Sequence, residues 1–152
     1  MSAIFWIISG IILITLYFLY AGVIMKKNKV KEASAGIDVQ LKKRYDLIPN
    51  LLNMAAKFMA HESKLMEEIT KLRTAAMANS FKDNPQEKIK NEKLLESKLK
   101  EFNLSVENYP DLKSNQTMMT AMQSMNEVEE HIAAARRFYN ACLLYTSPSP
   151  RD

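Results

Sequence analysis

Residues 38–52 read DVQLKKRYDLIPNLL, and the spacing of their apolar side chains decides the class of fold. Together with their neighbours, these side chains recur every three or four residues, as they do on one face of an α-helix. The stripe consists of Ile37, Leu41, Tyr45, Ile48, Leu52, Ala55 and Met59. It keeps its phase across Pro49, which predicts one kinked helix. The alternative is a new helix that Asp46 caps, with Pro49 in its first turn.

Three more segments show helical spacing, and polar segments separate them. Their stripes are Leu65, Ile69, Leu72 and Ala76; then Leu95, Leu99, Phe102 and Val106, with Ile89 one step earlier; then Met118, Met122, Met125, Val128, Ile132, Ala135 and Tyr139. The predicted breaks are a turn at His61-Glu62, a polar loop at 79–85 and the NYPD sequence at 108–111, where Asp111 is placed to cap the last helix. Long helices with short connections predict an all-α fold with these four helices in an antiparallel bundle.

Residues 4–25 contain no charged side chain. As a helix they would measure roughly 33 Å, enough to cross a hydrocarbon core of about 30 Å. The alternative is a cleaved signal peptide, which begins with basic residues and ends at a small-residue cleavage site. Because Met1-Ser2-Ala3 has no basic side chain and Val23-Ile24-Met25 is bulky, we predict a retained N-terminal transmembrane helix at 4–25, followed by a helical bundle at 26–142.

The basic residues that follow the span predict its orientation. Lys26, Lys27, Lys29 and Lys31 come directly after it. Basic flanks stay in the cytoplasm, so the N-terminus is expected outside and the bundle inside, with these lysines in contact with anionic lipid. The basic triplet at 42–44 lies roughly 24 Å further along a continuous helix, beyond two Debye lengths. We therefore interpret the triplet as a solvated face, although Arg44 and Asp46 could also pair with neighbouring helices or with each other.

Few residues form a pattern that points to catalysis. A zinc-hydrolase helix has two histidines one turn apart with a glutamate between them, but His61-Glu62 is followed by Leu65 where the second histidine would stand. One alternative function is a metal-dependent enzyme of unknown reaction that uses His61, Glu62 and His131. The single cysteine, Cys142, excludes an intramolecular disulfide framework. The sequence contains no glycine-rich phosphate loop.

Two further patterns have a structural and a functional interpretation. Met118, Met119, Met122 and Met125 could form an adaptable binding groove, but their helical spacing favours ordinary core. The net charge is +4, and the charged residues of both signs are mixed along helical faces, so they do not form a nucleic-acid patch.

After Asn140 the helical period stops and SPSP follows. We therefore interpret residues 143–152 as a disordered terminus or, preferably, as a tail that is not native.

Four stretches resemble the LemA family. They are DVQLKKRYDLIPNLL, the His61-Glu62 pair, ENYPDLKSNQ at 107–116 and EEHIAAARRFYN at 129–140. The resemblance covers about residues 26–140, and the order of the stretches also agrees. The family's chains continue past the position of Tyr139-Asn140 with more of the last helix, where this chain has LLYTSPSPRD.

The resemblance implies a bacterial inner-membrane protein with one span and an antiparallel helical bundle, and no established enzymatic activity. The family's motif positions have no agreed role, and here they are Arg44, Asp46, Leu47, Pro49, Asn50, Tyr109, Pro110, Asp111, Leu112 and Asn115. We therefore expect a scaffold or interaction protein without catalytic activity, cofactor or metal. Its expected partners are membrane lipid, unknown proteins and further copies of itself, with no nucleic acid.

Overall fold

The computed structural model describes residues 2–78 and 85–146. In these ranges the chain forms α1 (Ser2–Ala55), a 3-10 turn (Ala60–Glu62), α2 (Ser63–Ala78), α3 (Pro85–Val106), α4 (Pro110–Lys113) and α5 (Gln116–Thr146). The described residues contain no strand, so the predicted all-α class is confirmed. The predicted loop at 79–85 and the SPSP tail fall mostly on residues 79–84 and 147–152, which lie outside the described residues.

Helix α1 runs through Pro49 without ending. Proline lacks the N–H that would bond to the carbonyl four residues earlier, so this position weakens the helix locally. The prediction of one helix is confirmed, and the alternative cap at Asp46 is wrong because Asp46 lies inside α1. The kink itself stays a prediction. All seven residues of the first apolar stripe are buried, which explains why packing overrides the missing hydrogen bond.

The chain divides into two compact units, one of residues 41–130 and one of residues 1–40 with 131–152. The core of the first consists mainly of large apolar side chains: Leu41, Ile48, Leu51, Met59, Ile69, Leu95, Phe102, Leu112 and Met118. In the second unit, Ala33 and Ile37 of α1 and Ile132 and Cys142 of α5 are buried. Helix α5 continues to Thr146, so the expected end of the helical period after Asn140 is wrong.

Within residues 41–130, α2 and α3 pack against each other. Lys88, near the start of α3, donates a hydrogen bond to the carbonyl of Ala76 near the end of α2. Lys98, further along α3, forms an ion pair of 2.9 Å with Glu68, which lies earlier in α2. The two helices are therefore antiparallel, as predicted. The hydrogen bond from Lys98 holds the pKa of Glu68 below its usual value, and the same contact raises the pKa of Lys98.

The start of the last long helix lies later in the chain than predicted. Asp111 lies within α4, which ends after one turn at Lys113. The side-chain oxygen of Asn115 instead accepts hydrogen bonds from the backbone N–H groups of Thr117 and Met118, at 3.0 and 3.1 Å. Asn115 is thus the N-cap of α5, because these N–H groups have no partner inside the helix. The prediction that Asp111 caps this helix is wrong.

Replacing Asn115 by alanine is expected to lower the free energy of unfolding by about 1 kcal/mol, because two N–H groups of the first turn of α5 lose their acceptor. Asp111→Ala is the matched control, since Asp111 is exposed and does not cap α5. Thermal unfolding of the full chain in a mild detergent, followed by circular dichroism, measures both variants. An equal loss in the two variants would contradict the assignment of the cap.

Candidate functional site

The inward face of α3 changes from apolar to charged at its N-terminal end. Leu95, Leu99, Phe102 and Val106 are buried as predicted, and the stripe continues backwards through Glu92 and Lys88, which are also buried. Ile89, predicted to extend the apolar stripe, is exposed. That prediction is wrong because the helix turns Lys88 and Glu92 inward, four residues apart, where Glu92 meets the Arg44 guanidinium of α1 and Lys88 meets the Tyr45 hydroxyl of α1 and a backbone carbonyl of α2. We call Arg44, Tyr45, Lys88, Glu92 and Glu129 the buried cluster.

Arg44 of α1 is the centre of the buried cluster and has no exposed surface. Its Nη2 donates a hydrogen bond to Oε2 of Glu92 in α3. Its Nη1 donates to Oε1 of Glu129 in α5 at 3.0 Å. The prediction that Arg44 pairs with neighbouring helices is therefore confirmed. One guanidinium joins three helices through two planar donors, a geometry that lysine does not offer.

The interpretation of the basic triplet as a solvated face is wrong for Arg44. Lys42 and Lys43 are exposed, as expected, but Arg44 faces the core. The reason is its phase in α1: it follows Leu41 by three residues and precedes Ile48 by four, so it lies on the inward face. A charged residue on this face has to find partners, since an unpaired buried charge is very costly.

Tyr45 links the second cation of the buried cluster to the same carboxylate. The Tyr45 hydroxyl donates to Oε1 of Glu92 and accepts from Nζ of Lys88 at 2.7 Å. Lys88 Nζ also lies 3.3 Å from Oε1 of Glu92 and 5.0 Å from the centre of the Tyr45 ring. Helix α2 joins the cluster because Lys88 donates to the carbonyl of Ala76, and Arg73 Nε donates to the Tyr45 carbonyl at 2.7 Å.

The charges of the buried cluster balance when Glu129 is included. Arg44 and Lys88 are cations, Glu92 is a buried carboxylate, and Glu129 has 31% of its side chain exposed. Bringing ions into a protein interior costs several kcal/mol each, which ion pairs and hydrogen bonds offset only when the geometry is good. We expect such a cluster to fix the relative position of the helices that contribute to it, because any shift separates the charges. The arrangement can thereby set the register in which α1, α2, α3 and α5 align with one another.

The predicted motif residues separate into three groups by exposure. Arg44 and Leu112 are buried, and Leu47, Pro49 and Tyr109 are half-buried. The exposed motif residues are Asp46, Asn50, Pro110, Asp111 and Asn115. The structure thus gives an internal contact to two motif positions that are polar, Arg44 in the buried cluster and Asn115 at the cap of α5. The lysines at 26, 27, 29 and 31 are all exposed.

The metal-dependent alternative required His61, Glu62 and His131 in one centre. Among residues 2–78 and 85–146, no three histidine, cysteine, aspartate or glutamate side chains are grouped as a metal ion requires. His61 and Glu62 lie in the 3-10 turn before α2, and His131 is exposed on α5. The described residues therefore do not provide that centre.

The N-terminal part of α1 has the length and composition of a membrane span. Among the described helices, α1 is the one that is long and apolar enough to cross a membrane, and the candidate segment is Trp6–Ala55. The large apolar side chains between Trp6 and Met25 are exposed in the chain by itself, for example Leu13 at 65% and Phe18 at 68%.

A comparison with protein families matches the LemA family over residues 33–144, well over half of the chain. The chain belongs to the LemA family. The matched region contains all ten motif positions named above and every member of the buried cluster. It ends two residues inside the segment that we interpreted as a non-native tail. LemA is not a known enzyme family, and its members are membrane-associated. A comparison with curated proteins gave no match.

Proposed function

We propose that this LemA-family chain is a membrane-anchored interaction protein of a bacterial cell. Residues 4–25 span the inner membrane with the N-terminus outside, and Lys26, Lys27, Lys29 and Lys31 contact anionic lipid on the cytoplasmic side. The helices of residues 41–130 then present their outer faces to protein partners in the cytoplasm.

The observation that carries this proposal is the exposure of the apolar side chains at the start of α1. From Trp6 to Met25 the helix exposes side chains such as Leu13, Phe18 and Val23, the last at 66%. A contiguous apolar surface of this extent is unfavourable in water and marks a membrane or protein contact. Lipid accepts such a surface all around a helix, since every backbone group of the helix is already hydrogen-bonded.

The buried cluster favours binding over catalysis as the task of residues 41–130. Its charged groups are bonded to other members of the cluster and all of them except Glu129 lie in the core, so they are occupied between the helices. Arg44 and Glu92 are shielded from solvent, where a substrate could not reach them. The surfaces that remain for interaction are the outward faces of the helices.

A proximity-labelling experiment on the full chain tests anchoring, orientation and partner binding together. A biotin ligase that needs ATP, fused after Asp152, labels neighbours in the cytoplasm, where ATP is present. We expect the fusion in the membrane fraction, resistant to alkaline extraction, and reproducible labelling of a small set of membrane or membrane-associated proteins.

Two variants serve as controls. Deleting residues 4–25 is expected to release the fusion from the membrane and to remove the labelled set. Exchanging the four lysines for glutamine, with Ser2→Lys and Ala3→Lys added, is expected to reverse the orientation and abolish labelling. Labelling that is as strong in this variant as in the parent chain would contradict the proposed topology. A labelled set identical to that of an unrelated membrane-anchored ligase would contradict the interaction function.

A further inference from the structure

A groove of about 500 Å³ lies in the unit of residues 41–130, between the end of α3, α4 and the first half of α5. Its volume falls in the range of pockets that bind small molecules. The lining residues from α3 and its end are Lys100, Asn103, Leu104, Val106 and Glu107; those from α4 and α5 are Lys113, Met122 and Asn126. The groove is therefore separate from the buried cluster.

The charged groups of the groove favour an anionic occupant. Two ammonium groups, of Lys100 and Lys113, line it together with one carboxylate, of Glu107. Lys100 forms an exposed ion pair of 3.0 Å with Glu96, which contributes little to stability. Lys113 has no ion-pair partner among the described residues. An acidic ligand would thus meet one unused cation and a second that leaves its partner at small cost.

The remaining side chains of the groove favour a peptide over a simple anion. Asn103 and Asn126 make no side-chain hydrogen bond to another described residue. A carboxamide offers both a donor and an acceptor, which matches the backbone groups of a peptide. Leu104 has 67% of its surface exposed and Met122 is half-buried, so both can pack against an apolar side chain. Met122 is flexible enough to adapt to its shape.

We propose that this groove binds an acidic, leucine-containing segment of a partner protein. The carboxylates of the segment face Lys100 and Lys113, its backbone bonds to Asn103 and Asn126, and its leucine packs between Leu104 and Met122. The inference rests on the proposed interaction function and specifies the chemistry of the partner.

The first experiment uses a defined probe and the full chain in nanodiscs of phosphatidylcholine. The probe is a short fluorescent peptide of glutamate and leucine, and the reference peptide has lysine in place of every glutamate. We expect saturable binding of the acidic peptide that weakens with salt, and no binding of the basic peptide. With isotope-labelled methionine methyl groups, the NMR signal of Met122 is expected to shift, whereas that of Met77, exposed on α2, stays in place.

Two double variants with equal charge change separate the groove from general electrostatic attraction. Lys100→Glu with Lys113→Glu is expected to weaken binding of the acidic peptide at least roughly tenfold, equivalent to about 1.4 kcal/mol. Lys90→Glu with Lys93→Glu, which changes exposed residues of α3 outside the groove, is expected to leave binding within about twofold. Equal weakening by the two variants, or a shift at Met77 and not at Met122, would overturn the proposal.

The groove and the interaction function fail in different ways. If the Lys100→Glu/Lys113→Glu chain, fused to the biotin ligase, still labels the full set of membrane neighbours, the groove proposal is overturned and the interaction function stands. If the parent fusion labels no specific set while the acidic peptide binds at Met122, the interaction function fails, and of the groove proposal the affinity for acidic peptide alone stands. Circular dichroism of each variant shows that its helices are intact.

Discussion

Replacing Glu92 by leucine is expected to lower the free energy of unfolding by about 3–5 kcal/mol, the loss typical of a broken buried ion pair. Glu92 is the one carboxylate in the buried cluster that is itself buried, and it accepts hydrogen bonds from Arg44 and Tyr45. Leucine is close to glutamate in size but leaves Arg44 and Lys88 in the core with less compensation. Arg44 keeps Glu129 and Lys88 keeps two hydrogen bonds, which is why the expected loss stays within this range.

Denaturant unfolding of the full chain in a mild detergent, followed by circular dichroism, measures this loss. Glu101→Leu is the matched control on the same helix, because Glu101 is exposed and pairs with Lys98 at the surface. We expect its unfolding midpoint to stay near that of the parent chain. Glu92→Gln keeps a hydrogen-bond acceptor but not the charge, so we expect its unfolding midpoint to lie between those of Glu92→Leu and Glu101→Leu. A Glu92→Leu chain as stable as the Glu101→Leu chain would contradict the description of the cluster.

The helices were predictable from sequence because their apolar residues repeat with the helical period, and the burial of Ile37, Leu41, Leu95 and Phe102 follows that pattern. The pairing of Arg44 was predicted, but Lys88, Glu92 and Glu129 were missed as its cluster because the pattern counted apolar residues alone. A lysine and a glutamate four residues apart, such as Lys88 and Glu92, look the same as an ordinary surface pair. Lys88 and Glu92 differ from a surface pair in their position around the helix, because they lie on the same face as the apolar stripe.

The phase of the charged residues was readable in the sequence. Glu92 lies three residues before Leu95, and Lys88 lies four before Glu92, so both continue the inward face of α3. Arg44 likewise falls on the face of Leu41 and Ile48 in α1. Charged residues on the extension of an apolar stripe, in more than one helix, are thus a signal for a buried ionic cluster. Which charges meet could not be predicted, since that depends on how the helices are paired.

The N-cap of α5 and the groove were not predicted from the sequence, for different reasons. Pro110 and Asp111 do begin a helix, but it ends at Lys113, and the chain restarts at the second capping residue, Asn115. Two candidate caps four residues apart cannot be ranked by sequence alone. The groove needs side chains from α3, α4 and α5 to be adjacent, and no local pattern encodes this. The methionines of α5 were predicted to be ordinary core, and this is confirmed for Met118 and Met125. The prediction is wrong for Met119, which is exposed, and for Met122, which is half-buried and lines the groove.

Replacing the cluster with apolar side chains is expected to reverse the loss caused by Glu92→Leu. The variant combines Glu92→Leu with Arg44→Met, Tyr45→Phe and Lys88→Met. Buried ion pairs exchanged for well-packed apolar residues commonly leave proteins equally stable or about 1–4 kcal/mol more stable, because no ion has to be desolvated. The Ala76 carbonyl loses its donor, Lys88. A buried acceptor without a partner lowers the free energy of unfolding by about 1–3 kcal/mol, which offsets much of this gain. Glu129 is partly exposed and can return to water.

The same variant tests whether the cluster sets the register of the helices. Apolar contacts have no direction, whereas the bonds of Arg44 to Glu92 and Glu129 fit one arrangement of α1, α3 and α5. We therefore expect the fourfold variant to unfold near the parent midpoint while its Met118 and Met125 methyl signals broaden or multiply, since both side chains are buried. A stable variant with single, sharp signals would show that apolar packing alone specifies the bundle. A variant as unstable as Glu92→Leu would show that the cluster is a net source of stability.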